Sequence, residues 1–342
     1  MKIIQYLLSL IALIFLAFFV FAITQESRFE ISKKMYVSVP KSTVFSFINE
    51  YKNAEIWQPF AINNANLEYK YPETTSGLNA FMVFTKNGNS GNSKITFIKE
   101  NAQIDQVCTF SGIDYQSEMI FKDSIDGTVI DWKIRAQVSF YQKIKAVFQG
   151  GVSLLLKDTF DKSSEALERV LIQEINHFSI KNNGIIPQNG TFYIAHSLFC
   201  DRKNLDKNLQ KFLPKLSYFF KNNKLKMNGK PFLITENWGA DSLKIKICGP
   251  LRDSIFIANP SDMTVGFLNS FSGYKSTLKG DYSHFQTAIN QSKLAMKTNG
   301  IVPKNENTLY YIFAKSIFDT KRPSLWETSI LIPVTINKEL VN

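Results

Sequence analysis

The sequence predicts an α+β protein: one apolar N-terminal helix, an antiparallel sheet around a long C-terminal helix, and a pair of similar strand–helix–strand–strand modules. Three observations predict this. Ile3 to Ile23 is a run of 21 residues without a charge. Several short strand-like runs then precede a stretch of helical period from about Leu154 to Asn176. Beyond it the chain repeats: Tyr193 to Pro250 spans 57 residues and Tyr274 to Pro333 spans 59. With 342 residues, 44% hydrophobic and 20% charged, the chain is a globular protein with room for two cores rather than a disordered one. The expected divisions are an anchor over 1–25, a first domain over 28–180 and a second over 185–337.

As a helix, Ile3–Ile23 is about 32 Å long, close to the ~30 Å hydrocarbon thickness of a bilayer. A continuous helix is the low-cost way across, because lipid offers the backbone no hydrogen-bond partners. A cleaved signal peptide normally has a shorter apolar core, about 7–15 residues, and a small-x-small exit. Here the exit is Ala22-Ile23-Thr24-Gln25, so the segment reads as a single-pass membrane anchor. Lys2 precedes it, while Arg28, Lys33 and Lys34 follow beside Glu26 and Glu30, so the flanking charges nearly cancel. The preferred orientation leaves a two-residue cytoplasmic tail and extracytoplasmic bulk.

In the first domain the clearest strand is Thr128–Val138. There Ile130, Trp132, Ile134, Ala136 and Val138 alternate with polar residues, giving one buried face and one wet face. Asp126-Gly127 upstream reads as a hairpin turn that tolerates positive φ. Similar runs occur at 31–39, 66–71, 78–85, 94–99, 104–110 and 118–122, with connections too short for crossover helices, so the sheet is expected to be antiparallel. Pro40 opens a short helix carrying Val44, Phe45, Ile48 and Tyr51. The long helix carries Leu156, Phe160, Ser163, Leu167, Val170 and Leu171 on one stripe.

This order of elements, with Val37-x-Val39-Pro40-x-x-x-Val44-Phe45 and then Trp57-Gln58-Pro59-Phe60, resembles the polyketide-cyclase/START-like (SRPBCC) superfamily over about 150 residues. The resemblance implies a helix-grip fold, in which the sheet wraps the long C-terminal helix and leaves a pocket for an apolar ligand. A core filled by its own aromatic residues is the other reading.

Asn182-Asn183-Gly184, Pro187 and Asn189-Gly190 read as a turn-rich connector. In the first module a strand from Tyr193 leads to a helix over 205–220 and strands over 231–235 and 243–251. In the second, a strand from Tyr274 leads to a helix over 282–296 and strands over 309–314 and 326–334. Neither module covers its sheet alone, so the two are expected to pair about a pseudo-twofold axis. Lys279-Gly280-Asp281-Tyr282, Asn228-Gly229-Lys230-Pro231-Phe232 and the closing run Trp326-Glu327 to Pro333-Val334 resemble the GyrI-like, AraC-type effector-binding domain. Phe199-Cys200-Asp201 departs from that pattern in the first module. The resemblance implies a ligand cleft between the modules with Glu327 projecting into it, lined by Trp238, Tyr282, Tyr311 and Trp326. A carboxylate in such a cleft attracts a cation or has its pKa raised. Lys244 holds the place of Glu327 in the first module. A solvated edge-strand acid, with the aromatics in the core, is the plain alternative.

Residues 201–230 hold nine Lys and Arg against two Asp, which is most of the chain's net charge of +11. Lys207, Lys211 and Lys215 share one helix face, either simply solvated or in contact with anionic lipid. No helix-turn-helix precedes the second domain, so nucleic acid is not an expected partner. Three scattered cysteines and three histidines show no metal spacing, and no metal or cofactor is expected. The leading expectation is a membrane-tethered binding protein for hydrophobic or amphipathic small molecules, acting as sensor, carrier or scavenger. The alternatives are a hydrolase of reactive small molecules using Glu327 as general base with Tyr282 or Tyr311 orienting the substrate, and a non-catalytic interaction module.

Overall fold

A computed structural model describes residues 2–24, 26–58, 67–72, 74–86, 89–110, 113–147, 151–237, 242–257, 262–305 and 307–335. The chain forms two compact units, Met1–Ile172 and Gln173–Asn342. Both sheets are antiparallel throughout.

The first unit opens with α1 (Lys2–Thr24), which is exposed along almost its whole length. Residues Ile3–Thr24 have a mean hydropathy of 2.9 and are long and apolar enough to cross a membrane. Then come β1 (Arg28–Val37), α2 (Lys41–Ile48), α3 (Tyr51–Ala54), β2 (Glu68–Lys70), β3 (Phe81–Lys86), β4 (Asn89–Lys99), β5 (Gln103–Phe110), β6 (Ile113–Ser124) and β7 (Gly127–Gln137). Two helices follow, α4 (Phe140–Val147) and α5 (Val152–Asn176). The seven strands run in the order β1-β7-β6-β5-β4-β3-β2. As the alternation requires, Ile130 and Trp132 of β7 are buried, and the Trp132 ring packs edge-on against Phe160 of α5 at 4.8 Å between centroids. Leu156, Phe160, Ser163, Leu167 and Leu171 form the buried stripe of α5. Asn66, the expected start of β2, lies outside the described residues.

α4 is not anticipated by periodicity, because eight residues span barely two turns. Its start is held by Gln142 reaching back, as in half of a capping box: the Ser139 amide donates to Gln142 Oε1 at 2.9 Å, and the Ser139 hydroxyl bonds the same oxygen. Gly127 also differs from expectation. Its φ is not in the left-handed region. A methyl group at this position would overlap the carbonyl oxygen of Val37, so what demands glycine is the close approach of β1 to the hairpin end.

The second unit holds β8 (Ser179–Gln188), β9 (Thr191–Asp201), α6 (Leu205–Asn222), β10 (Phe232–Glu236), β11 (Ser242–Leu251), β12 (Met263–Leu268), β13 (Phe271–Lys279), α7 (Phe285–Thr298), β14 (Leu309–Lys315) and β15 (Glu327–Pro333). Their order is β12-β9-β11-β10-β14-β15-β13-β8. The modules β9-α6-β10-β11 and β13-α7-β14-β15 therefore join edge to edge through β10 and β14, with Phe232 opposite Ile312 and Thr235 opposite Leu309. On one face Leu209, Leu213 and Leu216 of α6 and Ala288, Ile289 and Met296 of α7 pack with Leu233, Ile245 and Ile330 of the sheet.

The expected connector over 182–190 is mostly strand. Asn182-Asn183-Gly184 is absorbed as a bulge against β13, with Gly184 at φ +82°. Ser276 Oγ donates to Asn182 Oδ1 at 2.7 Å and Thr277 Oγ1 to Asn183 Oδ1 at 2.8 Å, so the turn-forming side chains are satisfied inside the ladder.

The Gly127→Ala chain is expected to lose about 1–3 kcal/mol of stability, the range of a steric clash against fixed backbone. Chemical denaturation of the full chain in detergent reads this directly; an unchanged midpoint would mean that β1 yields freely.

Candidate functional site

In the second unit the aromatic residues expected to line a cleft are spent on the core. Tyr282 is 2% exposed, Tyr311 0% and Trp326 2%. Tyr282 packs on Trp326 at 4.5 Å and on Phe313 at 5.4 Å, and Tyr311 packs on Phe285 at 4.7 Å between ring centroids. The Trp326 indole N–H donates to the Thr320 carbonyl at 2.9 Å. Burial raises both phenols well above their ordinary pKa, so neither serves as a base at neutral pH. Trp238 lies outside the described residues.

The Gly280-Asp281-Tyr282 segment is a structural joint. Gly280 sits at φ +137°, where a side chain is strained, and Asp281 Oδ1 accepts from the Ser283 amide at 2.9 Å to cap the turn leading into α7. Glu327, the acid expected inside the cleft, stands exposed at the first position of β15, opposite Lys279 of β13 and Lys315 of β14. The pleat explains the separation: Trp326 and Glu327 are adjacent in sequence, so when the indole enters the core the carboxylate is turned away. Glu327, Tyr282, Tyr311 and Trp326 thus enclose no cavity among the described residues.

Lys244 is engaged within its own module. Glu236 Oε2 lies 3.1 Å from Lys244 Nζ, and Glu236 Oε1 accepts from Lys246 Nζ at 3.1 Å. Burial opposes ionisation of Glu236, but hydrogen bonds from Lys246 and Lys244, with their charges, outweigh it and hold the carboxyl below the ordinary range. It stands on the helix-free face, where Tyr193, Phe232, Ile234 and Cys248 form a second apolar cluster with Tyr310 and Ile312. A shallow hollow of about 260 Å³ borders Phe232, Tyr310, Ile312 and Leu331 there. On α6, Lys211 and Lys215 both hold their ammonium groups near the Phe212 ring, at 5.2 and 4.9 Å, as a solvated face with apolar stems does. The Lys207 side chain lies outside the described atoms.

The first unit holds a site that the sequence reading left without named residues. Between the sheet and α5 lies a cavity of about 60 Å³. Its sheet wall comes from two adjacent rows across the strands: Ala136, Tyr115, Cys108 and Ser93, then Ile134, Ser117 and Gln106. Leu156 and Phe160 of α5 close one side, and Trp57 and Gln58 another. Trp57 Nε1 and Gln106 Nε2 are buried donors with no partner among the described residues. Other polar groups around it are satisfied: Tyr51 Oη and Ser93 Oγ share a hydrogen bond at 2.8 Å, and Trp132 Nε1–H donates to Ser117 Oγ at 2.9 Å. Burial, and to a lesser degree the charge of Asp114, pushes the Cys108 thiol up to about 12, so it is inert at neutral pH. The wall carries no carboxylate and no imidazole. It offers mostly apolar contact, with the side chains of Trp57 and Gln106, whose ring and amide nitrogens are buried without a partner among the described residues, in its lining. Gln106 sits at an inward position between Ile104 and Cys108, and a polar residue in an otherwise apolar inward row was the available signal.

Among the described residues no cluster of His, Cys, Asp and Glu has the makings of a metal site. Held by these ion pairs, the Glu236 carboxylate stabilises the fold above its unfolded pKa of about 4.3, and that contribution is lost as pH falls through its lowered folded value. Glu236→Gln is therefore expected to flatten the acid side of the stability profile, by less than about 1 kcal/mol for so exposed a group. An identical acid profile in the two chains would contradict it.

No family model and no curated protein matches the chain. Among solved structures it is similar to protein CV1439 from Chromobacterium violaceum, at 11% identity over 42% of this chain and 96% of that one, with a TM-score of 0.33. It is also similar to the EcmrR C-terminal domain, at 11% identity over 47% and 99% with a TM-score of 0.37. A third likeness is to Ara h 8.0201, at 12% identity over 43% and 99% with a TM-score of 0.30. Likenesses this low assign neither family nor function.

Proposed function

We propose that this chain is a membrane-tethered binding protein for hydrophobic or amphipathic small molecules, and that the first unit's cavity takes the ligand. The observation that carries the reading is the pair of unpartnered buried donors, Trp57 Nε1 and Gln106 Nε2, on residues that line a partly open pocket of mostly apolar surface. An unsatisfied buried donor costs about 1–3 kcal/mol. A ligand oxygen accepting from both would recover that cost, and small apolar groups beside it would fill the remaining space. The cavity suits a carbonyl head and its neighbouring methylenes, at about 10–15 Å³ of such volume for each water-sized group. The apolar α1 supports the tether. On this reading the first unit is the START-like domain, its sheet gripping α5. The second is the GyrI-like domain, and its two modules paired through β10 and β14 support that assignment. Hydrolysis at Glu327 gains no support from an exposed acid whose expected aromatic partners are packed in the core.

Gln106→Leu tests the reading, because it keeps volume and removes the stranded amide. Without ligand the variant is expected to be more stable than the parent by about 1 kcal/mol. Cyclopentanone is expected to raise the thermal midpoint of the parent further than cyclopentane does, and the substitution to abolish that difference. Equal shifts from ketone and hydrocarbon in the parent would remove the acceptor from the account.

A further inference from the structure

We propose that α4 lies in the lipid interface as a second membrane contact, seating the cavity-bearing end of the first sheet against the bilayer. The inference rests on reading α1 as membrane-spanning, and depth is its first argument. Phe19 is five residues from the end of α1 at Thr24, about 7.5 Å along the axis at 1.5 Å per residue. The Phe140 ring, at the start of α4, meets Phe19 edge-on at 5.2 Å between centroids, and one turn on Ala22 is fully buried while its neighbours Phe21 and Ile23 are exposed. Whatever touches Phe19 in a spanning α1 sits at its depth, which is the boundary of headgroups and acyl chains.

Composition is the second argument. The α4 segment Phe-Tyr-Gln-Lys-Ile-Lys-Ala-Val has no acidic residue, and Tyr141 is 72% exposed, the type of side chain that favours the membrane–water interface. In water this aromatic pair, one turn from the exposed Phe15 on the same helix face, would be an apolar patch without a partner. The bilayer that solvates α1 covers the same surface continuously.

Connectivity is the third. β1 begins four residues after α1 ends, and Arg28 pairs with Gln137, the last residue of β7, so α1 enters and α4 leaves at the same end of the sheet. Ala136 and Tyr115, in the row beside that end, belong to the cavity wall, as does Leu156 near the start of α5. The consequence is that the cavity meets a ligand partitioned in lipid before one dissolved in water.

The experiment uses the full chain with Cys200 replaced by Ser and Cys108 and Cys248 by Ala, reconstituted in phosphatidylcholine–phosphatidylglycerol vesicles. Single cysteines at Ile14, Tyr141 and Ile125 carry an environment-sensitive fluorophore, and lipids spin-labelled near the headgroup or near the chain end serve as quenchers. Ile125 is the control: it caps the opposite end of β7 and is 97% exposed. Loss of fluorescence at position 141 with headgroup-level quenchers, at position 14 with chain-end quenchers and at neither depth at position 125 is the expected result. Quenching at 14 with position 141 as bright as 125 would overturn the role of α4 while leaving the span intact. A label at 14 untouched by chain-end quenchers would overturn the spanning reading, and this inference with it.

Discussion

The first unit depends on the contact between its sheet and α5 at Trp132 and Phe160. Those two rings, with Trp57 edge-on to Trp132 at 5.8 Å, set how closely the helix approaches the strands. In the adjoining rows the small side chains Ser117, Ala136, Cys108 and Ser93 stand among larger ones such as Tyr115 and Ile134, and the small ones do not reach across the gap that the large rings impose. The cavity is the consequence of large residues beside small ones on one pleated face. Two of the buried donors without a partner among the described residues, Trp57 Nε1 and Gln106 Nε2, belong to side chains of its wall.

The second unit follows a different economy. Its two modules are sealed by the β10–β14 ladder, and its largest aromatics bind the helices to the sheet rather than a ligand. Strand pleating then sorts the charges. Opposite faces receive neighbouring residues, so a buried Trp326 entails an exposed Glu327, whereas Glu236 in the first module is held between Lys244 and Lys246. In the first module the acid lies on the inner strand and the lysine on the next one out; in the second, Lys315 and Glu327 occupy the reverse arrangement. The duplication therefore keeps the backbone plan while exchanging the charges.

Much of this architecture was legible in the residues. The long stripe of α5, the alternation of β7 and the spacing of Tyr193–Pro250 against Tyr274–Pro333 are local patterns, and each corresponds to an observed element. What escaped depends on partners distant in sequence. Gly127 looks like a turn residue until β1 is seen lying against it, and Asn182-Asn183-Gly184 look like a loop until β13 pairs with them. β12 has no alternation strong enough to announce an edge strand. α4 was within reach, since Ser139-x-x-Gln142 is the sequence pattern of a capping box and the Gln142 side chain does reach back to the Ser139 amide, but two turns leave no period to count. The cavity was the hardest case: Trp57 and Gln106 are 49 residues apart, and only the folded sheet brings both into the lining of one pocket.

The most direct test is an experimental high-resolution structure of the full chain purified from cells without added solvents. The account predicts density for a non-protein group in the first unit's cavity, with an oxygen about 3 Å from both Trp57 Nε1 and Gln106 Nε2, the ordinary N–H···O distance. A cavity collapsed on itself, with protein oxygens accepting from both nitrogens, would contradict it.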